Sequence, residues 1–138
     1  DFAFMRISEM YLTAAEAFAR SNQDAKAKEY LQALLKERDP EYKDLGNTGA
    51  KLADEIMTHR RIELWGEGLN WFDLMRLNKG VDRRGAGYPN SEMIFKIEPT
   101  DNVLLWPIPE VELQSNQALS EADQNTPGNT PKPVADNK

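Results

Sequence analysis

Glu55, His59 and Glu63 stand four residues apart in one run of helical sequence, so a carboxylate, an imidazole and a second carboxylate would share one helix face. Such a ladder can offer ligands to a divalent metal. Helical metal sites recruit ligands from a second helix, however, and His59 is the one histidine in the chain. Glu63 and Glu67, one turn apart, suggest a different chemistry, since two carboxyl groups flanking a sugar are the requirement for glycoside hydrolysis. Arginine neighbours oppose that reading, because they hold carboxylates ionised and leave no group neutral to act as a general acid. A structural role fits better. At about 100° per residue, Leu52, Ala53, Ile56, Met57 and Leu64 define an apolar face, with Arg60 and Glu67 near its middle and Glu63 at its edge. Charges on a buried face must be paired or they cost several kcal/mol, to an order of magnitude. The expectation is an ion-pair network of Arg60, Glu63, Glu67, Asp73 and Arg76, with no catalytic residue and no metal site.

Aromatic and basic loop residues supply the other candidate sites. Trp65, Trp71, Trp106 and Tyr88 could present flat faces to sugar rings, yet aromatic side chains on helices are mostly core residues. Tyr88, in a loop of Gly and Pro, is the candidate ligand-binding residue. Lys79, Arg83 and Arg84 could meet an anion, but Asp82 interrupts them and a solvated loop is expected. Gly80, Gly85 and Gly87 neither follow a strand nor open a helix, so they make no phosphate cradle, and no nucleotide or other cofactor is expected.

The elements that must position these residues are helical. Phe4, Ile7, Tyr11, Ala14, Ala15 and Phe18 recur at three and four residues and predict an amphipathic helix, with Arg6, Glu9, Thr13, Glu16 and Arg20 facing elsewhere. After a break at Ser21 to Gln23, Asp24 is placed to cap a second helix. Its stripe is Ala27, Tyr30, Leu31, Leu34 and Leu35, and Pro40 ends it. So short a turn makes the two an antiparallel hairpin. Tyr30-x-x-Ala33-Leu34 matches the second helix of a tetratricopeptide repeat, although no second repeat follows at that period of about 34 residues. A third helix is expected over Ala50 to Trp65, and a fourth over Asn70 to Leu77 with Gly80 as its stop. Met93 to Ile97 has weak strand character. Pro107 and Pro109 impose extended conformation on their predecessors, and Pro109 suits the first turn of a short helix through Leu113.

Composition bounds the rest. The 138 residues and 15.7 kDa are one ordinary domain by length. A net charge of -6 opposes phosphate and argues against nucleic acid. The absence of cysteine excludes disulfides, thiolate nucleophiles and cysteine-containing zinc sites. No apolar run approaches the ~18 residues of a membrane span, so a soluble chain is expected. The start at Asp1, running straight toward a helical pattern, suggests a piece of a longer protein.

Four motifs in order give a resemblance. Arg6-Ile7-Ser8-Glu9-Met10-Tyr11-Leu12-Thr13-Ala14-Ala15-Glu16-Ala17 resembles the RxxExYLxxAEA segment of the SusD/RagB family. Arg60-Arg61-x-Glu63-Leu64-x-x-Glu67-Gly68-x-x-x-Phe72-Asp73-Leu74-x-Arg76 is similar to its ERRxELxxEGxRxxDLxR signature. Leu105-Trp106-Pro107-Ile108-Pro109-x-x-Glu112 resembles its LxPIPxxE, and Asn116-x-x-Leu119 with Gln124-Asn125-x-Pro127-Gly128 its NxxLxQNPG. His59 stands where the signature has Glu, Asn70 where it has Arg, and Thr126 is inserted before Pro127. The first two changes remove one acid and one base, which implies a smaller ion-pair network.

The resemblance implies an all-α fold: a tetratricopeptide-like helical hairpin, further helices and a loop-rich C-terminal region with little or no strand. It implies that residues 1–128 are the C-terminal part of a longer domain, leaving 129–138 as a disordered polar tail unless a larger body holds it. It further implies a non-catalytic surface lipoprotein of the outer membrane, anchored by lipid, that binds oligosaccharide or another nutrient and acts with a SusC-type TonB-dependent transporter. A tetratricopeptide-type adaptor that binds a protein in the groove of the first hairpin is the second reading, and a carboxylate-based glycoside hydrolase the third. The family's glycan contacts come from loops outside these motifs, so the resemblance transfers no binding residue.

Overall fold

The computed structural model describes residues 6–136. Among these, the helices are α1 (Ile7–Arg20), α2 (Asp24–Arg38), α3 (Gly49–Glu63), α4 (Leu69–Arg76) and α5 (Glu110–Ser115). Two strands of two residues each, β1 (Val81–Asp82) and β2 (Lys96–Ile97), pair antiparallel with Val81 opposite Ile97. The fold is all-α. Where length suggests one domain, the chain forms two compact units, one running to Asn70 and the other starting at Trp71. No helix among the described residues is long and apolar enough to cross a membrane.

In the first unit α1 packs against both α2 and α3. The α1–α2 turn closes with Asn22 in the left-handed region at φ 58°, the Gln23 N–H donating to the Phe18 carbonyl at 2.9 Å and the Asn22 N–H to Ala19 at 3.2 Å. That pairing satisfies the last carbonyls of α1 and turns the chain back at once. Leu12, Ala15 and Ala19 of α1 meet Ala27, Leu31, Leu34 and Leu35 of α2 and Leu52, Ala53 and Ile56 of α3 in one core. Alanines at four of these positions let the helix backbones approach closely. Asp24 opens α2 rather than capping it, and its carboxylate instead accepts the Gly49 N–H at 3.0 Å. It therefore caps α3, whose first N–H groups need an acceptor.

The buried face of α1 departs from the expected one. Ile7 is 74% exposed, while Ser8 and Glu16 are buried beside Leu12, Ala15 and Ala19. The face is rotated by roughly a quarter turn from the most apolar stripe. Tyr11 and Phe18 lie at its rim, where Tyr30 of α2 stacks on Phe18 with ring centroids 5.5 Å apart and meets Tyr11 edge-on. Tyr30 is thus a rim residue rather than a core one. Phe4 lies outside the described residues.

In the second unit α4 ends as α1 does. Asn78 sits at φ 49°, with the Lys79 N–H on the Leu74 carbonyl at 2.9 Å. Asn78 is the left-handed stop, not Gly80. Gly80 serves a different need, because a Cβ there would lie 2.0 Å from the Ile97 carbonyl oxygen across the strand pair. The extended Trp106 to Pro109 segment has no strand partner, and a side chain replaces one: the Gln124 amide accepts from the Ile108 N–H at 2.8 Å and donates to its carbonyl at 3.0 Å. Pro109 is the residue immediately before α5 rather than within it. Beyond Gly128 the polar segment makes two backbone contacts. Val134 donates to the Ile94 carbonyl at 2.8 Å and Pro133 bridges Phe95.

The rotation of α1 gives opposite expectations for two of its aliphatic residues, Ile7 and Leu12. Leu12→Ala should lower unfolding free energy by about 2–5 kcal/mol, whereas Ile7→Ala should stay within about 0.5 kcal/mol. Urea unfolding measures both. Near-equal losses would mean that α1 buries the face its sequence favours.

Candidate functional site

The charged residues singled out by spacing take ion-pair partners once folded. Arg60 continues the apolar stripe of α3, one turn beyond Ile56, and is 7% exposed. Its guanidinium donates to the Glu9 carboxylate and to the Thr13 hydroxyl, both at 3.3 Å and both on α1. Glu9, Thr13, Glu16 and Arg20 form a polar stripe of α1 beside the core, and the buried Glu16 accepts from Arg20 at 2.7 Å.

Glu63, the last residue of α3, is held from two other directions. Arg38, the last residue of α2, donates to both of its oxygens at 2.7 and 2.9 Å, and Arg6, just before α1, donates at 2.8 Å. A second nitrogen of Arg6 reaches Glu67. Arg6 and Arg38 set positive charge beside Glu63, and Arg6 also reaches Glu67, which relieves the repulsion between the two carboxylates. The hydrogen bonds from Arg38 and the adjoining positive charge hold the Glu63 carboxyl below its ordinary range, against the opposing effect of burial. Glu67 itself is exposed. The helix stops at Glu63 and Gly66 turns left-handed at φ 81°, so the heptad-like spacing that placed Glu67 on the buried face no longer applies. Asp73, buried on α4, pairs with Arg76 three residues on at 2.8 Å within the second unit.

The other two members of the metal-like ladder have partners of their own. Glu55 is buried and accepts from the Tyr42 hydroxyl at 3.0 Å and from the Asn47 amide at 2.9 Å, which fastens the loop after α2 onto α3. Burial, followed by the Glu55 hydrogen bond, pushes the Tyr42 phenol well above its ordinary value. His59 meets the Tyr42 ring edge-on at 6.1 Å. Glu55, His59 and Glu63 thus share a helix face without sharing a task.

Tyr88 is half-buried rather than open. The Arg83 guanidinium lies 3.8 Å from its ring centre and 4.8 Å from that of Phe95, so one cation serves two aromatic faces. Arg84 pairs with Asp82, whose carboxyl the Arg84 hydrogen bonds bring down to about 2. The tryptophans correct the expectation of a core role. Trp65 is 86% exposed and Trp106 75% exposed, and in the second unit Trp106 tilts against the half-buried Trp71 with ring centroids 6.5 Å apart. A low-scale cleft of about 280 Å³ adjoins the Trp106 segment, lined by Val103, Leu105, Pro107, Asn125 and Pro127. Arg6, Glu9 and Arg38 were not among the sequence candidates. Arg6 and Glu9 do lie inside the first recognised motif, which was the available signal.

A helical hairpin braced by arginine–carboxylate pairs, followed by a loop-rich unit built on the Trp-Pro-Ile-Pro segment, defines a class of protein. The SusD family model matches residues 1–128, and the chain belongs to that family. It is similar to SusD-like protein P38 of Formosa agariphila, 30% identical over 135 residues that cover 92% of this chain and 24% of that protein. The chain therefore spans about a quarter of the length of the curated relative it matches. No solved structure matches it.

Two stability predictions follow from the pairing. Glu9→Gln leaves the buried Arg60 charge less compensated and should cost about 1–3 kcal/mol. The Glu9→Gln, Arg60→Met double mutant should be milder than the sum of the singles, because both charges then leave together. Strict additivity in urea unfolding would place Arg60 in solvent. For Glu63, a carboxyl held below its ordinary range stabilises the fold fully above about pH 4.3 and loses that contribution as pH falls through the lowered value. The advantage of the native chain over Glu63→Gln should accordingly be constant near neutrality and shrink below about pH 4. An advantage that grew on acidification would reverse the assignment.

Proposed function

We propose that this chain is the C-terminal part of a cell-surface nutrient-binding lipoprotein of the outer membrane, one that binds glycan or a related nutrient and passes it to a SusC-type TonB-dependent transporter. The observation that carries the reading is family membership across residues 1–128, since the SusD family is one of outer-membrane nutrient-binding proteins. Within it, residues 1–128 are a structural and ligand-presenting portion, and no residue here takes a catalytic role. The chemistry of Glu63 and Glu67 supports that view. Glu63 is held ionised by Arg38 and Arg6, and Glu67 pairs with Arg6. A general acid for glycoside cleavage has to be protonated near neutrality, and no arginine-clamped carboxyl meets that demand. The ion pairs of Arg60, Glu63, Glu67, Asp73 and Arg76 serve the fold in this reading.

The test uses the whole protein that carries this chain. Calorimetric titration with a panel of oligosaccharides should give saturable binding with no release of reducing ends, and a tagged copy should co-purify a TonB-dependent transporter. Reducing-end release that disappears in Glu63→Gln would overturn the non-catalytic reading. Co-purification of a soluble protein with no transporter would favour the tetratricopeptide-type adaptor.

A further inference from the structure

Residues 129–136 lie beyond the stretch the family model covers, yet they make specific contacts. Pro133 bridges Phe95 in antiparallel register, and the Val134 N–H donates to the Ile94 carbonyl at 2.8 Å. Two residues on, the Asp136 carboxylate accepts the Gly85 N–H. The segment thus touches both ends of the loop between Arg83 and Ile94. On the other side of Phe95 its carbonyl accepts the Arg83 N–H at 3.1 Å, continuing the β1–β2 pairing. Phe95 is therefore the middle backbone of three, with Arg83 on one flank and Pro133 on the other.

The sequence of the segment suits such a part. Pro131 and Pro133 restrict φ before any contact forms, so little conformational freedom is lost on docking. Proline lacks the N–H a central strand needs, which confines the segment to the sheet edge it occupies. Val134 and Ala135 are exposed, so little of their apolar surface is buried and polar contacts of the backbone and of Asp136 carry the attachment. Attachments of that kind open at the low end of a protein's stability range, well before global unfolding.

We propose that residues 129–136 are a detachable strap that holds the Arg83–Ile94 loop closed. With the strap in place Gly85 is pinned, and Arg83 lies across the Tyr88 and Phe95 rings, covering one face of Tyr88. With the strap released, Gly85 and the edge of Ile94 lose their partners, the loop is free to move, and Tyr88 becomes accessible. The strap acts on loop order through the Val134 backbone contact and the Asp136 carboxylate, and requires no ligand.

Limited trypsin digestion of the 138-residue chain tests this, because Arg83 and Arg84 sit at the loop while Lys79 and Lys96 flank it in the same unit. Asp136→Ala removes the acceptor for Gly85, and Val134→Pro removes the donor to Ile94. Each should raise cleavage after Arg83 and Arg84 roughly two- to tenfold, the change in opening equilibrium expected for one hydrogen bond. Cleavage after Lys79 and Lys96 should hold at the native rate. Unchanged cleavage at Arg83 and Arg84 in both variants overturns the strap. Equal acceleration at all four sites also overturns it, since the segment would then be holding the whole unit rather than the loop.

Discussion

One guanidinium governs how the helical unit is assembled. Arg60 continues the apolar stripe of α3 and so must enter the junction with α1, where a charge is tolerated only with partners. Among the groups that meet it, Glu9 and Thr13 belong to the polar stripe of α1. Bringing that stripe toward α3 turns α1 about its axis. Ser8, Leu12, Ala15 and Ala19 then face inward and Ile7 faces outward. The apolar area of Ile7 is forgone because an unpaired buried charge would cost more than one exposed aliphatic side chain, by the usual magnitudes of several kcal/mol against about 1.5–3. The helix pair is thus oriented by an ion pair within a hydrophobic frame.

Glu63 provides the second constraint, in the same last turn of α3. Its carboxylate joins the residue before α1, the last residue of α2 and the last residue of α3. Arg6 is partly and Arg38 about half exposed, so the pairing is worth less than a buried one, and its value lies in geometry. A bidentate arginine fixes direction as well as distance. The same arrangement that braces the bundle holds the Glu63 carboxyl ionised, away from the role of a general acid.

The second unit is built on a different economy of forces. Its strands are two residues long, and much of its order comes from side chains that imitate backbone partners: Gln124 at Ile108, Asn125 at the Trp106 carbonyl, Asp101 and Asn90 at the turns that follow them. Such a unit holds irregular loops in defined places on a small ordered frame. Exposed Trp106 beside Trp71, and Tyr88 stacked under Arg83, are the aromatic surfaces it displays.

Local chemistry made much of this legible from sequence. Apolar periodicity located α2 and α3 to within two residues of their ends and found α1, because helix formation depends on neighbours three and four apart. Pro40 and the Asn/Gly positions marked the breaks, because φ is a property of the single residue. The burial of Arg60 was also visible, since its place on the wheel is a local fact. What covers each face is not local. The partners of Glu63 come from 25 and 57 residues away, and no helical wheel contains them. The rotation of α1, the exposure of Glu67 past the end of its helix and the docking of the segment after Gly128 likewise depended on which distant groups had to be satisfied. Periodicity ranks faces by hydrophobicity alone, whereas the folded chain chooses among them by also pairing every buried charge and backbone group.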